Sequence, residues 1–327
     1  MAVQVEKSRK VLPFLFPVME QESILSLLFT RVGDETFINS QGDTVTMRVG
    51  GLRAIARKYE WRERRAPIVT DDIKGGQGVD ITFGTHTYSA TELTDEHYTM
   101  DPVNLATDVV MPQAEAVAHD LELDIRDSFN QMRPKVTLTF NTGDDPYDFA
   151  VDAQAELDGF RVAPNDAGRF WLVGANVAKD ILKSDRITRY DSAGEDNRLA
   201  LRRGTIGDLA GLRVVKSLDV NPNFSMVSHK TGLVFGNLAH QVPPAGLVSG
   251  ARRARNGFSL RHVMDYDTDF MSLRSVVSTF SGATPIYDER VGGTGRDAMD
   301  LKEYADGVQP VSVRFLGVNY NGTNADA

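Results

Sequence analysis

The chain has 327 residues, of which 41% are hydrophobic and 25% are charged, and its formal net charge is −9. This is the composition of a globular protein with one large or two ordinary domains. The acidic total argues against a dedicated DNA-binding protein, because such proteins usually carry a basic total or a basic face. The absence of cysteine excludes disulfides, thiolate metal sites and a cysteine nucleophile. No apolar run approaches about 18 residues, so we expect neither a signal peptide nor a membrane span.

The first 42 residues are predicted to form an arm. A proline-spaced apolar stretch contains Phe14 and Phe16, and a short amphipathic helix is predicted over about residues 19–31, with Leu27 on its apolar stripe. An apolar segment at a terminus is expected to be buried against something. It can pack against a partner molecule or against its own domain, and the sequence alone does not distinguish these two possibilities.

Two segments with strand periodicity flank a long polar insertion. Apolar and polar residues alternate from Gly42 to Val49 and again around residues 79–83, which predicts two strands. The intervening residues 50–78 are too many for an ordinary connection inside a compact domain. We interpret them as a protruding two-stranded loop that lies on a neighbour.

The insertion carries the most basic segment of the chain. Residues 51–65 contain six Lys/Arg and two Glu, a balance of six minus two, or +4. Tyr59 and Trp61 lie among these charges and would suit base stacking in nucleic-acid binding. Arg and Trp also anchor protein interfaces, and we favour this second interpretation because the rest of the chain supplies the excess acid. The candidate contact residues here are Arg57, Lys58, Trp61, Arg62, Arg64 and Arg65.

The clearest helix is predicted from about residue 102 to 130. Asp101 suits the N-cap, and Pro102 suits the first helical position, where its missing N–H costs nothing. Apolar residues then recur at steps of three and four. Such a helix would be about 40 Å long, and Pro112 should bend it.

Helices and strands alternate from residue 137 to about 248, which predicts a compact α/β region with a mixed sheet. Residues 203–217 are expected to form a glycine-punctuated turn, a short helical turn and a strand. Other strands are predicted at 137–140, 170–173 and 233–235, within 257–285 and through Val311, Val313 and Phe315; other helices are predicted at 146–157, from 177 and near Leu238–Gln241.

The sequence offers little catalytic chemistry. None of the six histidines forms an H-x-x-x-H or H-E-x-x-H pair, and no G-x-S-x-G or phosphate-loop motif is present. Asp265, Asp267 and Asp269 alternate like the start of a calcium loop, but the glycine and distal glutamate of an EF-hand are absent. We therefore predict a turn with solvated acids at this point, no metal or cofactor site, and no enzyme.

Two segments carry a family resemblance. Residues 203–217, RGTIGDLAGLRVVKS, closely resemble the "G-x-I-G-x-I-A-G-x-x-V-x-x-S" segment of tailed-phage major capsid proteins, where it leads into a central strand of the axial domain. Gly42–Arg48 and the later "L-R-H-V-M-D-Y-D" fit the same plan. Over about residues 10–290 the chain is similar to Hong Kong 97-type major capsid (coat) proteins of tailed double-stranded DNA bacteriophages.

The resemblance implies an α+β chain with the Hong Kong 97-like capsid fold. This fold comprises an N-arm, an extended β-hairpin loop, a long spine helix, a peripheral domain and an α/β axial domain. The implied parts are the N-terminal arm 1–42, the extended loop with flanking strands 43–98, the spine helix of the peripheral domain 99–136, the axial domain 137–256, the returning strands 257–290 and a C-terminal segment 291–327, whose role stays open.

The resemblance also implies a function. It indicates a major capsid protein that is assembled in the host bacterial cytoplasm, as pentamers and hexamers, into the icosahedral head of a virion enclosing double-stranded DNA. Neighbouring subunits would be contacted by the arm, through Phe14, Phe16 and Leu27, and by the basic residues of the loop. Scaffolding, portal and decoration proteins are further expected partners; DNA contact would be weak and non-specific, and no membrane is expected.

Three alternatives stay open. An encapsulin-like cellular compartment shares the fold and would enclose protein cargo rather than DNA. Another virion component, such as a tail-tube protein, would form tubes or rings. A metal-dependent α/β enzyme would use Asp265, Asp267 and Asp269, and would show bound metal and turnover.

Overall fold

A computed structural model describes residues 8–32, 44–48, 78–94, 105–160, 162, 168–184, 207–242, 249–287 and 311–322. The helices are α1 (Ser8–Glu22), α2 (Leu25–Leu28), a π-helical segment (Leu105–Val110), α3 (Met111–Phe129), α4 (Pro146–Gly159) and α5 (Ala175–Lys183). The strands are β1 (Thr30–Val32), β2 (Thr44–Arg48), β3 (Gly78–Thr82), β4 (Thr85–Thr94), β5 (Thr137–Phe140), β6 (Arg169–Val173), β7 (Asp208–Leu209), β8 (Leu212–Lys216), β9 (Ser225–His229), β10 (Leu233–Leu238), β11 (Ser249–Arg255), β12 (Phe258–Asp267), β13 (Ser272–Pro285) and β14 (Phe315–Tyr320). None of the described helices has the length and apolarity required to cross a membrane.

The first sheet is built around the long strand β13. Its strand order is β1-β10-β13-β12-β11, and β4 also pairs with β13. All pairings are antiparallel except that of β1 with β10. Helices α1 and α3 pack against this sheet and against each other. Their apolar side chains and those of the inner sheet face form one core, which includes Phe16, Leu121, Phe235, Leu260 and Val277.

The second sheet is mixed and has the order β5-β14-β9-β6-β8-β7. Its central strand β6 is buried along its whole length. Trp171 and Val173 share a core with α4 and α5, whereas Phe170 and Leu172 face the core that contains α1 and α3. Because both faces of β6 are covered, its sequence is a nearly continuous apolar run, RFWLV, rather than an alternating one.

The spine helix differs from the prediction at its start. The α-helical part begins at Met111, and Pro112 is its second residue. A π-helical segment runs directly into it, so the proline lies where the type of helix changes. Asp101 and Pro102 lie outside the described residues.

The N-terminal helix was predicted in the wrong place. The structure has α1 over Ser8–Glu22, with Pro13 and Pro17 inside it, and only the short α2 within residues 23–31. Leu12, Leu15, Phe16 and Met19 are fully buried at the helical spacing of three, four and seven residues. Burial of this stripe outweighs the cost of the prolines.

Residues 204–215 are partly as predicted. The strand is confirmed as β8, but the described residues 207–211 contain no helical turn. Instead β7 and β8 form a tight hairpin in which Ala210 and Gly211 have φ of 47° and 84°, as a two-residue turn with two left-handed residues requires. The helix predicted near Leu238–Gln241 is also absent from this described stretch, because β10 continues to Leu238.

The sheets do not follow the expected sequence boundaries. Strands β10 and β11 lie within 137–256, the proposed axial domain, yet they pair in the first sheet. The last strand, β14, begins at Phe315 rather than Val311 and returns to the second sheet between β5 and β9. A segment near the C-terminus therefore completes the α/β region.

Gly174 at the end of β6 provides a test of this packing. A Cβ there would lie 2.3 Å from the carbonyl oxygen of Asn221 and 2.6 Å from that of Pro222. The loop cannot retreat easily, because Gly174 N–H donates to the Phe224 carbonyl at 2.9 Å. We expect Gly174→Ala to lower the free energy of unfolding in urea by about 2–3 kcal/mol. Gly159→Ala, with nothing within 4 Å of its Cβ, is the control; equal losses in the two variants would contradict the prediction.

Candidate assembly surfaces

The N-terminal segment, residues 8–32, is docked on its own chain. Helix α1 contacts α3, β11 and β12, and Phe16 is fully buried in the shared core. Phe16 therefore does not fit the expected contact with a neighbouring subunit, because its side chain already completes the core of its own chain. Of the two possible covers for this apolar segment, the chain's own domain is the one observed.

Two other residues of the N-terminal segment face outward. Phe14 is 60% exposed and Leu27 is 45% exposed, although both belong to helices whose opposite faces are buried. Large apolar side chains at this exposure are available to a second molecule. Phe14 and Leu27 therefore remain candidates for contact with a neighbouring subunit, whereas Phe16 does not.

Glu122 fastens the N-terminal segment to the spine helix. Its carboxylate is fully buried in α3 and accepts hydrogen bonds from three consecutive backbone N–H groups, those of Ile24, Leu25 and Ser26. The distances from the nitrogens of Ile24 and Ser26 are both 3.0 Å. These groups begin α2 and have no partner within that helix, so Glu122 satisfies donors that would otherwise be buried unpaired.

The same environment has opposing effects on the Glu122 carboxyl. Burial raises its pKa, because the charged form loses hydration, and the hydrogen bonds from Ser26, Leu25 and Ile24 lower it. The net pKa is raised above its ordinary value. No local signal in the sequence distinguishes Glu122 from Asp120 and Asp124, the acids on either side of it in the same helix.

The two strands predicted to flank the extended loop are confirmed, whereas the loop itself lies outside the described residues. Strands β2 and β3 form an antiparallel pair with Thr44 opposite Thr82 and Arg48 opposite Gly78. Val79 and Ile81 pack on Val234 of β10, which fixes the hairpin against the first sheet. The six candidate contact residues of the loop, Arg57, Lys58, Trp61, Arg62, Arg64 and Arg65, lie outside the described residues.

The turn between β12 and β13 forms an exposed apolar tip that the sequence did not reveal. Phe270 is 76% exposed and Met271 is 67% exposed. The turn is ordered by its own polar groups, since Asp269 N–H donates to the Asp267 carboxylate at 3.0 Å. Phe270 was expected in a strand, so its position at the tip is a correction. We call Phe270 and Met271 the hairpin tip.

The three alternating acids beside the hairpin tip, Asp265, Asp267 and Asp269, do not come together in one site. Asp265 lies directly opposite Arg274 on β13, and Arg274 Nε donates to its carboxylate at 3.1 Å. Asp267 accepts the turn hydrogen bond from Asp269. Within the described ranges no group of three or more His, Cys, Asp or Glu residues is placed to hold a metal ion.

No protein-family model matches the sequence, and no curated protein matches it. Solved structures do resemble it. A protein of Mycobacterium phage Che8 gives a TM-score of 0.58 at 19% identity over 91% of this chain and 91% of that chain. The capsid structure of the cyanophage P-SCSP1u gives 0.59 at 11% identity over 92% and 89% of the two chains. A virus-like particle from Pyrococcus furiosus gives 0.50 at 10% identity over 85% and 94%.

These similarities extend over nearly the whole length of both partners. The chain therefore has the α+β Hong Kong 97-like capsid fold, which confirms the predicted fold class. At these low identities the similarity shows the fold of the chain and not the role of particular side chains.

Proposed function

We propose that this chain is the major capsid protein of a tailed double-stranded DNA bacteriophage. In this proposal it assembles with itself, as pentamers and hexamers, into an icosahedral head. The observation that carries the proposal is the agreement with a cyanophage capsid structure over 92% of this chain, because a match of that length includes both sheets and the spine helix. The resemblance of residues 203–217 to phage capsid proteins supports it independently.

The surface of the subunit supports self-association. Nine large hydrophobic side chains are exposed among the described residues, and four of them, Phe14, Leu27, Phe270 and Met271, lie on the N-terminal segment and the hairpin tip. Burying such side chains between subunits contributes about 1.5–3 kcal/mol each. Repeated over many copies, contacts of this size would favour association between subunits, against the entropic cost of bringing them together.

Finer parts of the proposal follow from the same role. The basic loop segment 51–65 would lie on an acidic surface of a neighbouring copy. Scaffolding, portal and decoration proteins would be additional partners during assembly in the bacterial cytoplasm. The net charge of −9 would keep contact with packaged DNA weak and non-specific.

An encapsulin-like compartment is the second candidate, favoured by the similarity to a virus-like particle from Pyrococcus furiosus. A metal-dependent enzyme has less support, because Asp265 is engaged by Arg274 rather than aligned with Asp267 and Asp269. The two shell functions differ in what the particle encloses.

Electron microscopy of the purified chain tests the proposal. We expect round, closed particles of uniform diameter, and in particles from the native source we expect nuclease-protected double-stranded DNA. Particles that contain a protein cargo and no DNA would favour the compartment function instead. A chain that stays monomeric under all assembly conditions, or forms only tubes or rings, would contradict the proposed head.

A further inference from the structure

Two histidines from distant parts of the chain meet on the outer side of the first sheet. His240 follows β10 and stacks on Phe280 of β13, with 3.7 Å between ring centroids and an interplanar angle of 27°. His86 at the start of β4 lies 4.0 Å from His240 and 5.2 Å from Phe280, centroid to centroid. The three rings therefore form one contact cluster that bridges β4, β13 and the segment after β10.

The ring of His240 has no hydrogen-bond partner among the described residues. Both of its nitrogens are buried. The next residue is held separately, because Arg261 of β12 donates to the Gln241 carbonyl at 3.1 Å. A neutral imidazole tolerates this apolar stacking, whereas an imidazolium would carry two buried N–H donors with nothing to accept them.

The charged and titratable groups around His240 favour its neutral form. They are His86 and Tyr88 of β4 and Arg261 of β12, with Arg252 of β11 opposite Arg261 in the strand register. Burial is the main cause that lowers the pKa of His240 to about 4, and the charges of His86 and Arg261 contribute to the same shift. Burial and Arg261 also lower the pKa of His86. Protonation of both rings would place two positive charges in contact, with the charge of Arg261 acting in the same direction.

The cluster lies between two parts of the fold, the start of β4 and the segment after β10. His86 lies just after Gly84, which connects β4 to the β2–β3 hairpin at the base of the extended loop. His240 and Gln241 lie just after β10, on which that hairpin packs. Contact between the two rings thus ties the base of the hairpin to the end of β10.

We propose that the stacked His86–His240 pair is an acid-sensitive joint. In the neutral state the two rings and Phe280 hold the start of β4 against residues 239–242. Protonation separates the rings, and both segments are released locally from the sheet. The joint belongs to the folded chain itself and operates whether or not the chain assembles into a shell.

The sign and size of the effect follow from proton linkage. His240 takes up a proton at its ordinary pKa of 6.5 when released, but only near 4 when stacked. The closed joint is therefore fully stable above about pH 6.5 and loses stability as the pH falls toward 4. At pH 5.0 the opening constant should be larger than at neutral pH by up to about 30-fold.

Hydrogen exchange of the unassembled chain tests the joint. Amides of residues 85–88 and 239–242 should show opening constants that rise up to about 30-fold between pH 7.5 and pH 5.0, after correction for intrinsic exchange. The variant His240→Phe keeps a stacking ring without a titrating group, and its rise should stay below about threefold. His119→Gln, which removes an exposed histidine facing Asp219 at 3.5 Å, is the matched control and should behave like the wild type.

A second measurement does not depend on any variant folding. Direct NMR titration of the His240 ring in the wild-type chain should give a pKa well below 6.5. A pKa at or above 6.5, or a wild-type joint whose amides respond to acid no more than the rest of the sheet, would overturn the proposal. Neither experiment uses assembled particles. A negative result for the histidine pair therefore does not contradict the proposed shell function, and a failure to form particles does not contradict the acid-sensitive joint.

Discussion

A chain carrying Phe270→Ser and Met271→Asn should fold normally and fail to form closed particles. The hairpin tip contributes little to the packing of its own subunit, because both side chains are mostly exposed. Asparagine also suits position 271, where φ is 47°, since it adopts left-handed backbone more readily than methionine does. If the hairpin tip is buried between subunits, removing it costs about 3 kcal/mol per subunit, or about 100-fold in the association constant.

The measurement is sedimentation and electron microscopy under conditions in which the wild type forms particles. The tip variant should sediment as free subunits, with a melting temperature within a few degrees of the wild type. Leu218→Ser is the matched control, because Leu218 is 77% exposed but lies near the second sheet. Particles from the tip variant in wild-type amounts would remove the hairpin tip from the assembly surface, whereas the same loss in the Leu218 variant would make the effect non-specific.

Elements with strong local signals could be predicted from the sequence. Helix α4 was predicted at residues 146–157, and its start is defined locally, since Asp145 accepts the Tyr147 N–H at 3.0 Å and Pro146 lies in the first turn. The strands β2 and β3 were predicted from alternation, and they pair with each other. In each case the deciding interactions lie within a few residues or within one hairpin.

Elements whose position depends on distant contacts could not be predicted. Nothing near Ile24 indicates that its backbone N–H meets a carboxylate 98 residues later in the chain. The two prolines made α1 look like an extended arm, although its buried stripe fits the core of the first sheet. For the same reason Phe16 was assigned to a neighbour rather than to the chain's own core.

The hairpin tip shows a different limit of sequence analysis. Phe270 and Met271 are apolar, and the two strands that they connect contribute core residues such as Phe258, Leu260 and Val277. Only the turn geometry, with Met271 in left-handed backbone, places these two side chains outside the sheet. An apolar pattern predicts burial, but it does not say whether a side chain is buried in its own subunit or in an assembly.

Docking of the N-terminal segment in its own subunit changes how the assembly is pictured. The sequence suggested an arm that contacts a neighbour, whereas α1 fills the core of the first sheet. Among the large apolar side chains described in the N-terminal segment, Phe14 and Leu27 are the exposed ones. The N-terminal segment then acts as part of a rigid body, and its outer face is what a neighbour can contact. This arrangement depends on the bonds that hold residues 24–26 to the spine helix.

Replacing Glu122 by alanine should therefore release the N-terminal segment. Three buried backbone N–H groups, those of Ile24, Leu25 and Ser26, would lose their acceptor. An unsatisfied buried donor costs about 1–3 kcal/mol, so we expect the local stability of this segment to fall by about 3–5 kcal/mol. Glu122→Gln should be intermediate, because its amide keeps one acceptor oxygen but turns an N–H₂ group toward backbone donors.

Hydrogen exchange at Ile24, Leu25 and Ser26 is the direct measurement, and limited proteolysis near residue 23 is an independent one. Both should show at least a 100-fold increase in local opening for Glu122→Ala. Glu115→Ala removes an exposed acid from the same helix and should leave these amides protected. Unchanged protection in Glu122→Ala would mean that the apolar stripe of α1 alone holds the segment, and the buried carboxylate would then be a consequence of docking rather than its cause.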